Sequence, residues 1–340
     1  MQRALLSDIK KIEIENVESK APAAGEAKVA IDACGICGSD LHMYDGSHPV
    51  LRPPLVMGHE IVGRVTEIGD GVSDLKPGDR VVLMAGRGCG ECEACQEGHY
   101  NWCEQLKVIG GHLPGALAEE LVLPTEQFIT IPEWIPDDQA ALIEVAAVGM
   151  HTIKRYGDVE GKSCLVLGAG PVGLVLVSCL KALGAGPVVV SDISAARREL
   201  AHTKGADIVI DPREDGAEDQ IKAKFPRGMD VAFDCAGREA SLHTALRLTR
   251  RGASIILTAI FPANVTIPMA QVQRAERQLI GVQMYQREDF EQTIQLLEEK
   301  KLDLSGIVTH ELPLQQTAEA FHLLESADAA AGKVLIRIRQ

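Results

Sequence analysis

Aromatic residues are scarce in this 340-residue chain, at 4%, with 2 tryptophans, 4 tyrosines and 6 phenylalanines. So few rings leave no stacking platform for single-stranded nucleic acid. Positive charge is short as well: 34 lysines and arginines face 48 aspartates and glutamates, a formal net charge of −14. Such a surface repels a phosphate backbone or an anionic bilayer, so no nucleic acid and no membrane are expected as partners. The chain also lacks any run of about 18 apolar residues, and its start, MQRALLSDIKKIEIENVE, has no apolar core of the kind a secretion signal carries. A cytoplasmic location is the expectation. Nine cysteines is an odd number for a disulfide framework and suits a reducing compartment with metal ligation instead.

What is present points to a small-molecule enzyme of two domains, since 340 residues exceed what one core usually supports. The first 130 residues or so carry short β-branched runs broken by turns, as in EIVGRVTEIGDGVSDLKPGDRVVLM, and read as a β-rich, barrel-like domain. From Lys162 the pattern changes to apolar strands alternating with helices: SCLVLGAG, PVVVSD, DIVID, DVAFDCAG and ASIILTA. That alternation predicts an α/β domain with a doubly wound parallel sheet. The helical run EDFEQTIQLLEEKKL and the final strand GKVLIRIRQ are expected to return to the first domain.

Cysteines cluster in GCGECEACQEGHYNWC, where Cys89, Cys92, Cys95 and Cys103 have the spacing Cys-x2-Cys-x2-Cys-x7-Cys. Four thiolates suit a closed tetrahedral Zn²⁺ site. An iron–sulfur cluster takes the same ligands, but the proline that often follows its last cysteine is missing here. A closed four-ligand site has no vacancy for substrate, so its expected role is to fold a lobe with little apolar content.

A second constellation joins ACGICGSDLHMYDG to LVMGHEIVG. Cys37, His59 and Glu60 make a cysteine, histidine and carboxylate set with an open position, as a catalytic zinc requires. Cys34 competes with Cys37 for the thiolate role, and the glycine-rich turn around Cys37 favours the latter. Ser39 and His42 are placed to pass a proton from a bound alcohol to solvent. Asp40 is a candidate to orient the His59 ring. Glu144, a single carboxylate in the apolar stretch AALIEVAAVGMHT, reads as a fourth or alternating ligand, with an exposed surface glutamate as the alternative.

Gly168, Gly170 and Gly173 form Gly-x-Gly-x-x-Gly between an apolar strand and a helix, so the turn 168–173, Pro171 and Val172 included, is the expected pyrophosphate site. PVVVSD ends at Asp192, near the position of a ribose-binding acid. Its charge favours NAD over NADP, whereas Arg197 and Arg198 close by leave room for a 2′-phosphate.

With these motifs in place, the chain resembles the zinc-dependent medium-chain dehydrogenases, nearest their sorbitol, xylitol and butanediol branch. ACGICGSDLH, MGHE, the four-cysteine segment, ALIEVAAVGMHT, LGAGPVG, VSDISAARR, FDCAG and VTHELPLQQTAEAF carry the likeness. The resemblance implies a β-rich GroES-like catalytic domain over 1–149 and 287–340, and a Rossmann domain over 150–286 that binds NAD. It implies two zinc ions per chain, one catalytic at Cys37, His59, Glu60 and Glu144, the other structural at the four-cysteine lobe. It also implies a homodimer or homotetramer and oxidation of a secondary alcohol to a ketone; Arg197, from its place after the second strand, is the further cofactor candidate, with a solvated helix face as the alternative. Threonine-type or simple secondary-alcohol oxidation is the alternative, and a non-enzymatic zinc and NAD binder the reading from another class. Two departures stand out: Glu144-Val145 replaces the family's Glu-Pro, and Met284-Tyr285 its Arg-Tyr. Tyr44, Tyr285 and Ile260 are the expected pocket walls.

Overall fold

The computed structural model describes residues 1–261, 264–325 and 332–339. Two compact units emerge, Met1–Glu144 with Val308–Gln340, and Val145–Ile307. The expected return to the first domain at 287 falls later, at Val308. Helix Arg287–Glu298 stays with the second unit because its residues are bonded there: Asp289 Oδ2 meets His151 Nδ1 at 2.9 Å, and Phe290 packs edge-on against Tyr285 at 4.8 Å. The other boundary lies at Glu144 rather than at 149, inside helix Ile143–Tyr156.

In the first unit, a seven-stranded sheet has the path Val308–Pro313, Lys333–Arg337, Glu26–Gly35, Glu60–Ile68, Arg80–Leu83 and Phe128–Thr130, with Glu120–Pro124 also paired to Glu26–Gly35. Register matters most at one end. Gly35 lies opposite Leu335 on one side and opposite Glu60 on the other, so three sequence-distant strands deliver their residues to one spot. Tyr44 and Phe321, ring centroids 4.8 Å apart, close the core above it.

The second unit has six parallel strands in the order Ile208–Ile210, Val188–Ser191, Cys164–Leu167, Met229–Asp234, Thr249–Leu257 and Gln278–Gly281. The inner strands CLVL and VVVS are buried at every position, as expected where helices cover both faces. Helices alternate with them: Pro171–Ala182 ends before Gly184 at φ +75°, and Ala195–Thr203 before Gly205 at φ +101°. The strand order reverses between Cys164–Leu167 and Met229–Asp234, the position where doubly wound sheets take ligands. Among the described residues, no helix is long and apolar enough to cross a membrane.

Candidate active site

Cys37 follows strand Glu26–Gly35 and caps helix Gly38–Tyr44, held by its N–H donating to Asp40 Oδ2 at 2.8 Å. His59 and Glu60 open the neighbouring strand, 8% and 1% exposed. Each of Cys37, His59 and Glu60 brings a ligand atom within 4.8 Å of the others. Two glycines make the approach possible. A Cβ on Gly35 would lie 2.3 Å from Glu60 Oε2, and one on Gly58, at φ +94°, would lie 2.7 Å from Cys34 Sγ. Cys34 itself is fully buried, and burial pushes its thiol well above the usual range, so it stays a neutral core group beside the cluster.

Asp40 does less for His59 than expected. Its carboxylate accepts from Cys37 N and, at 3.4 Å, from Gly58 N, whereas His59 Nδ1 is 3.8 Å from Oδ1, beyond a hydrogen bond. Asp40 therefore shapes the Cys37 turn and gives His59 charge rather than a bond. Burial opposes protonation of His59, but Asp40 and Cys37 outweigh it and hold the ring well above the usual histidine value. His59 Nδ1 is buried without a hydrogen-bond partner.

Ser39 and His42 share the helix Gly38–Tyr44, both half-buried. His42 Nδ1 meets Ser47 Oγ, on the exposed loop beyond, at 2.8 Å. Glu144 is 6% exposed in the first turn of its helix, where a carboxylate suits the helix dipole. It acts electrostatically on His59, yet lies outside the close group of three. Val145 in place of proline sits in that same first turn, which either residue tolerates.

Sequence reasoning missed one participant. Lys333 Nζ donates to both oxygens of Glu60, at 2.6 and 2.5 Å, and to Ile36 O at 2.9 Å. Both partners of this ion pair are essentially sealed from water, at 2% and 1% exposure. Burial alone would lower the Lys333 pKa, but Glu60 and Cys37 raise it above the ordinary lysine value. The set of thiol, imidazole and carboxylate, with an orphaned imidazole nitrogen and several buried anions around one ammonium, fits a divalent soft-to-borderline cation such as zinc.

Cys89, Cys92, Cys95 and Cys103 also bring their sulfurs within 4.8 Å of one another. Backbone N–H groups point at the sulfurs, from Cys89 to Cys103 Sγ at 3.4 Å, from Cys92 to Cys89 Sγ and from Gln105 to Cys103 Sγ, each at 3.3 Å. Those of Glu91 and Cys92 bring the Cys89 thiol down to about 7. All nine cysteines are free of disulfides. Four converging sulfurs that form no disulfide, three of them half-exposed, fit a closed zinc site.

In the second unit, the three glycines have distinct jobs. Gly168 turns at φ +93°, Gly170 faces open space, and a Cβ on Gly173 would lie 1.9 Å from Gly168 O, so the helix can approach the strand only because that atom is missing. Pro171 opens the helix after Gly170, with Val172 next, leaving a bare N-terminus for a phosphate. Asp192, 8% exposed, accepts from Ala169 N at 2.7 Å and from Ser194 N at 2.8 Å, tying the second strand to the glycine turn. Arg198 is spent on Asp192 O and Asp211, while Arg197 has a buried Nε without a hydrogen-bond partner. The cradle fits a dinucleotide. Of the expected pocket walls, Tyr44 and Tyr285 are wholly buried and serve the cores, because a chain so poor in rings uses them for packing; Ile260 is 46% exposed.

Residues 23–133 match the alcohol dehydrogenase GroES-like domain, and residues 171–299 the zinc-binding dehydrogenase domain. Sorbitol dehydrogenase of Bacillus subtilis is 33% identical over 94% of this chain and 92% of its own length. L-threonine 3-dehydrogenase of Pyrococcus horikoshii is 34% identical over 96% and 95%. The structure of an alcohol dehydrogenase from Escherichia coli CFT073 with the cofactor NADH superposes with a TM-score of 0.92, at 29% identity and 99% coverage of both chains. On its fold, its two ligand clusters and this identity across nearly its whole length, the chain belongs to the zinc-dependent medium-chain dehydrogenases, in their polyol dehydrogenase branch.

Proposed function

We propose that the enzyme reversibly oxidises a secondary alcohol, a polyol or small diol, to the ketone with NAD as hydride acceptor. The buried group of Cys37, His59 and Glu60 carries this reading, because three protein donors leave a place for substrate oxygen. Zinc held there would supply Lewis acidity to lower the pKa of the alcohol, and bound NAD would supply the hydride acceptor. The protein's own residues do the rest. Cys37 and His59 hold the ion, with Glu60 or Glu144 as the carboxylate. Asp40 fixes the Cys37 turn and places a negative charge beside His59. Ser39 takes the hydroxyl proton, and His42 releases it toward the Ser47 loop. Gly168 to Gly173 receive the pyrophosphate, Asp192 the ribose hydroxyls, and Arg197 lies beside them. Asp192 also repels a 2′-phosphate, which supports NAD over NADP.

Met284 stands where polyol enzymes carry an arginine, so one donor for substrate hydroxyls is lost and a short diol suits the site better than a long sugar alcohol. A 2-amino-3-hydroxy acid is the second reading, favoured by the equally high identity to the threonine dehydrogenase. An NAD-coupled screen over polyols, diols, inositols, threonine and simple secondary alcohols tests both. Turnover highest on a vicinal diol or polyol supports the first, highest on threonine the second, and bound NADH without turnover on any alcohol overturns both.

A homo-oligomer completes the proposal, with strand Gln278–Gly281, one of the two edge strands of the parallel sheet, as the contact. Light scattering that returns a monomer refutes it. An odd count of nine cysteines, four of them clustered at metal-ligand spacing, supports a cytoplasmic location.

A further inference from the structure

Glu60 is held by two competing demands. It is one of three side chains whose ligand atoms converge within 4.8 Å, yet both of its oxygens already lie on Lys333 Nζ. Lys333 spends its third donor on Ile36 O, the carbonyl next to Cys37, and the backbone repeats the link, with Ile36 N donating to Val334 O at 3.0 Å. The ammonium thus touches the carboxylate and braces the thiolate turn at once. Neither member of the pair can turn to water, because they are 2% and 1% exposed, and Gly35 lacks the Cβ that would otherwise collide with Glu60 Oε2. A carboxylate so neutralised is a weak metal donor. To give the metal its full charge, it would have to abandon a buried ammonium, which is costly.

We propose that Lys333 is a positioning residue that holds Glu60 back from the metal, keeping the ion's remaining position exchangeable. This rests on the reading of Cys37 and His59 as metal ligands, with Glu60 converging on the same spot. Without the ammonium, Glu60 has one cation left to neutralise it, and it closes on the ion. Lys333 therefore governs metal release and access to the open position, and Cys37 governs whether the ion binds at all.

The test is release of zinc from the holoenzyme to a chromogenic chelator. Two phases are expected, and the one that Cys37→Ser removes belongs to this site. In Lys333→Met that phase should slow by roughly tenfold, a change of the size that groups behind the ligands make to metal affinity, here of opposite sign because the ammonium competes with the metal for Glu60. Imidazole should bind the cobalt-substituted variant correspondingly more weakly. Lys333→Gln, which retains a donor for Ile36 O, should show the same slowing and serves if the methionine variant does not fold. Lys333→Arg should restore wild-type release, and adding Glu60→Gln to Lys333→Met should abolish the slowing. An unchanged or faster phase in both neutral variants, with the four-cysteine ion retained, overturns the role given to Lys333. Retention of both phases in Cys37→Ser overturns the metal reading itself.

Discussion

The two ligand clusters differ in how they are assembled. Cys89, Cys92, Cys95 and Cys103 lie in one short stretch, are mostly half-exposed, and receive backbone N–H groups from their own loop. Cys37, His59 and Glu60 lie at the adjoining ends of two strands joined through register, and a third strand, from far along the chain, supplies the buried Lys333. A closed set of four sulfurs draws its support from its own loop. An open set needs neighbours that hold each ligand without filling the vacancy, and those neighbours are Asp40, Gly35 and Lys333. Chemistry and folding are thereby separated: loss of a ligand should cost turnover at one site and stability at the other.

Cys37→Ser should sharpen this most. Removing the Lewis acid forfeits several kcal/mol of transition-state stabilisation, so kcat/KM should fall by about a thousandfold or more, while zinc drops from two ions to one and the melting curve barely moves. A large fall in melting temperature with activity intact would reverse the assignment. Ser39→Ala should lower kcat by about a hundredfold with little change in KM, as for a lost proton acceptor. Equal loss in kcat and zinc content would make Ser39 structural instead. Cys103→Ser should open the segment 88–105 to limited proteolysis and lower the melting temperature, because metal binding in such a lobe is folding free energy, while surviving molecules keep kcat within about threefold. The smallest effects form a matched pair. Gly35→Ala and Gly88→Ala each place a Cβ against a ligand, 2.3 Å from Glu60 Oε2 and 2.6 Å from Cys95 Sγ. Each should cost about 1–3 kcal/mol of local strain, read as activity in the first and as proteolytic sensitivity in the second. The same readout in both would erase the distinction.

Much of this could be read from sequence because the signals are local. The four cysteines, the glycine turn before its helix and Asp192 at the next strand end each depend on spacing within a few turns of chain. The alternation of strands and helices from Lys162 likewise gave the parallel sheet, whose apolar runs are buried on both faces. What depends on pairing was invisible. GKVLIRIRQ reads as an ordinary strand, and nothing in it shows that Lys333 meets Glu60, 273 residues away, until the register places Leu335 opposite Gly35. The late return at Val308 was hidden for the same reason: the amphipathic helix Arg287–Glu298 could pack on either unit, and Asp289 with His151 decides it. Asp40 was legible as a neighbour of the site but not as the cap of the Cys37 turn, since capping is set by backbone geometry.

Position along the chain also separates the two centres during synthesis. A ribosome has made every ligand of the four-cysteine lobe once Cys103 is added, and that lobe can take its ion while most of the chain is still unwritten. Strand Lys333–Arg337 must exist before Glu60 has its ammonium and the Cys37 turn its brace. A nascent chain therefore carries the full ligand set of the four-cysteine lobe long before it carries every residue of the other centre.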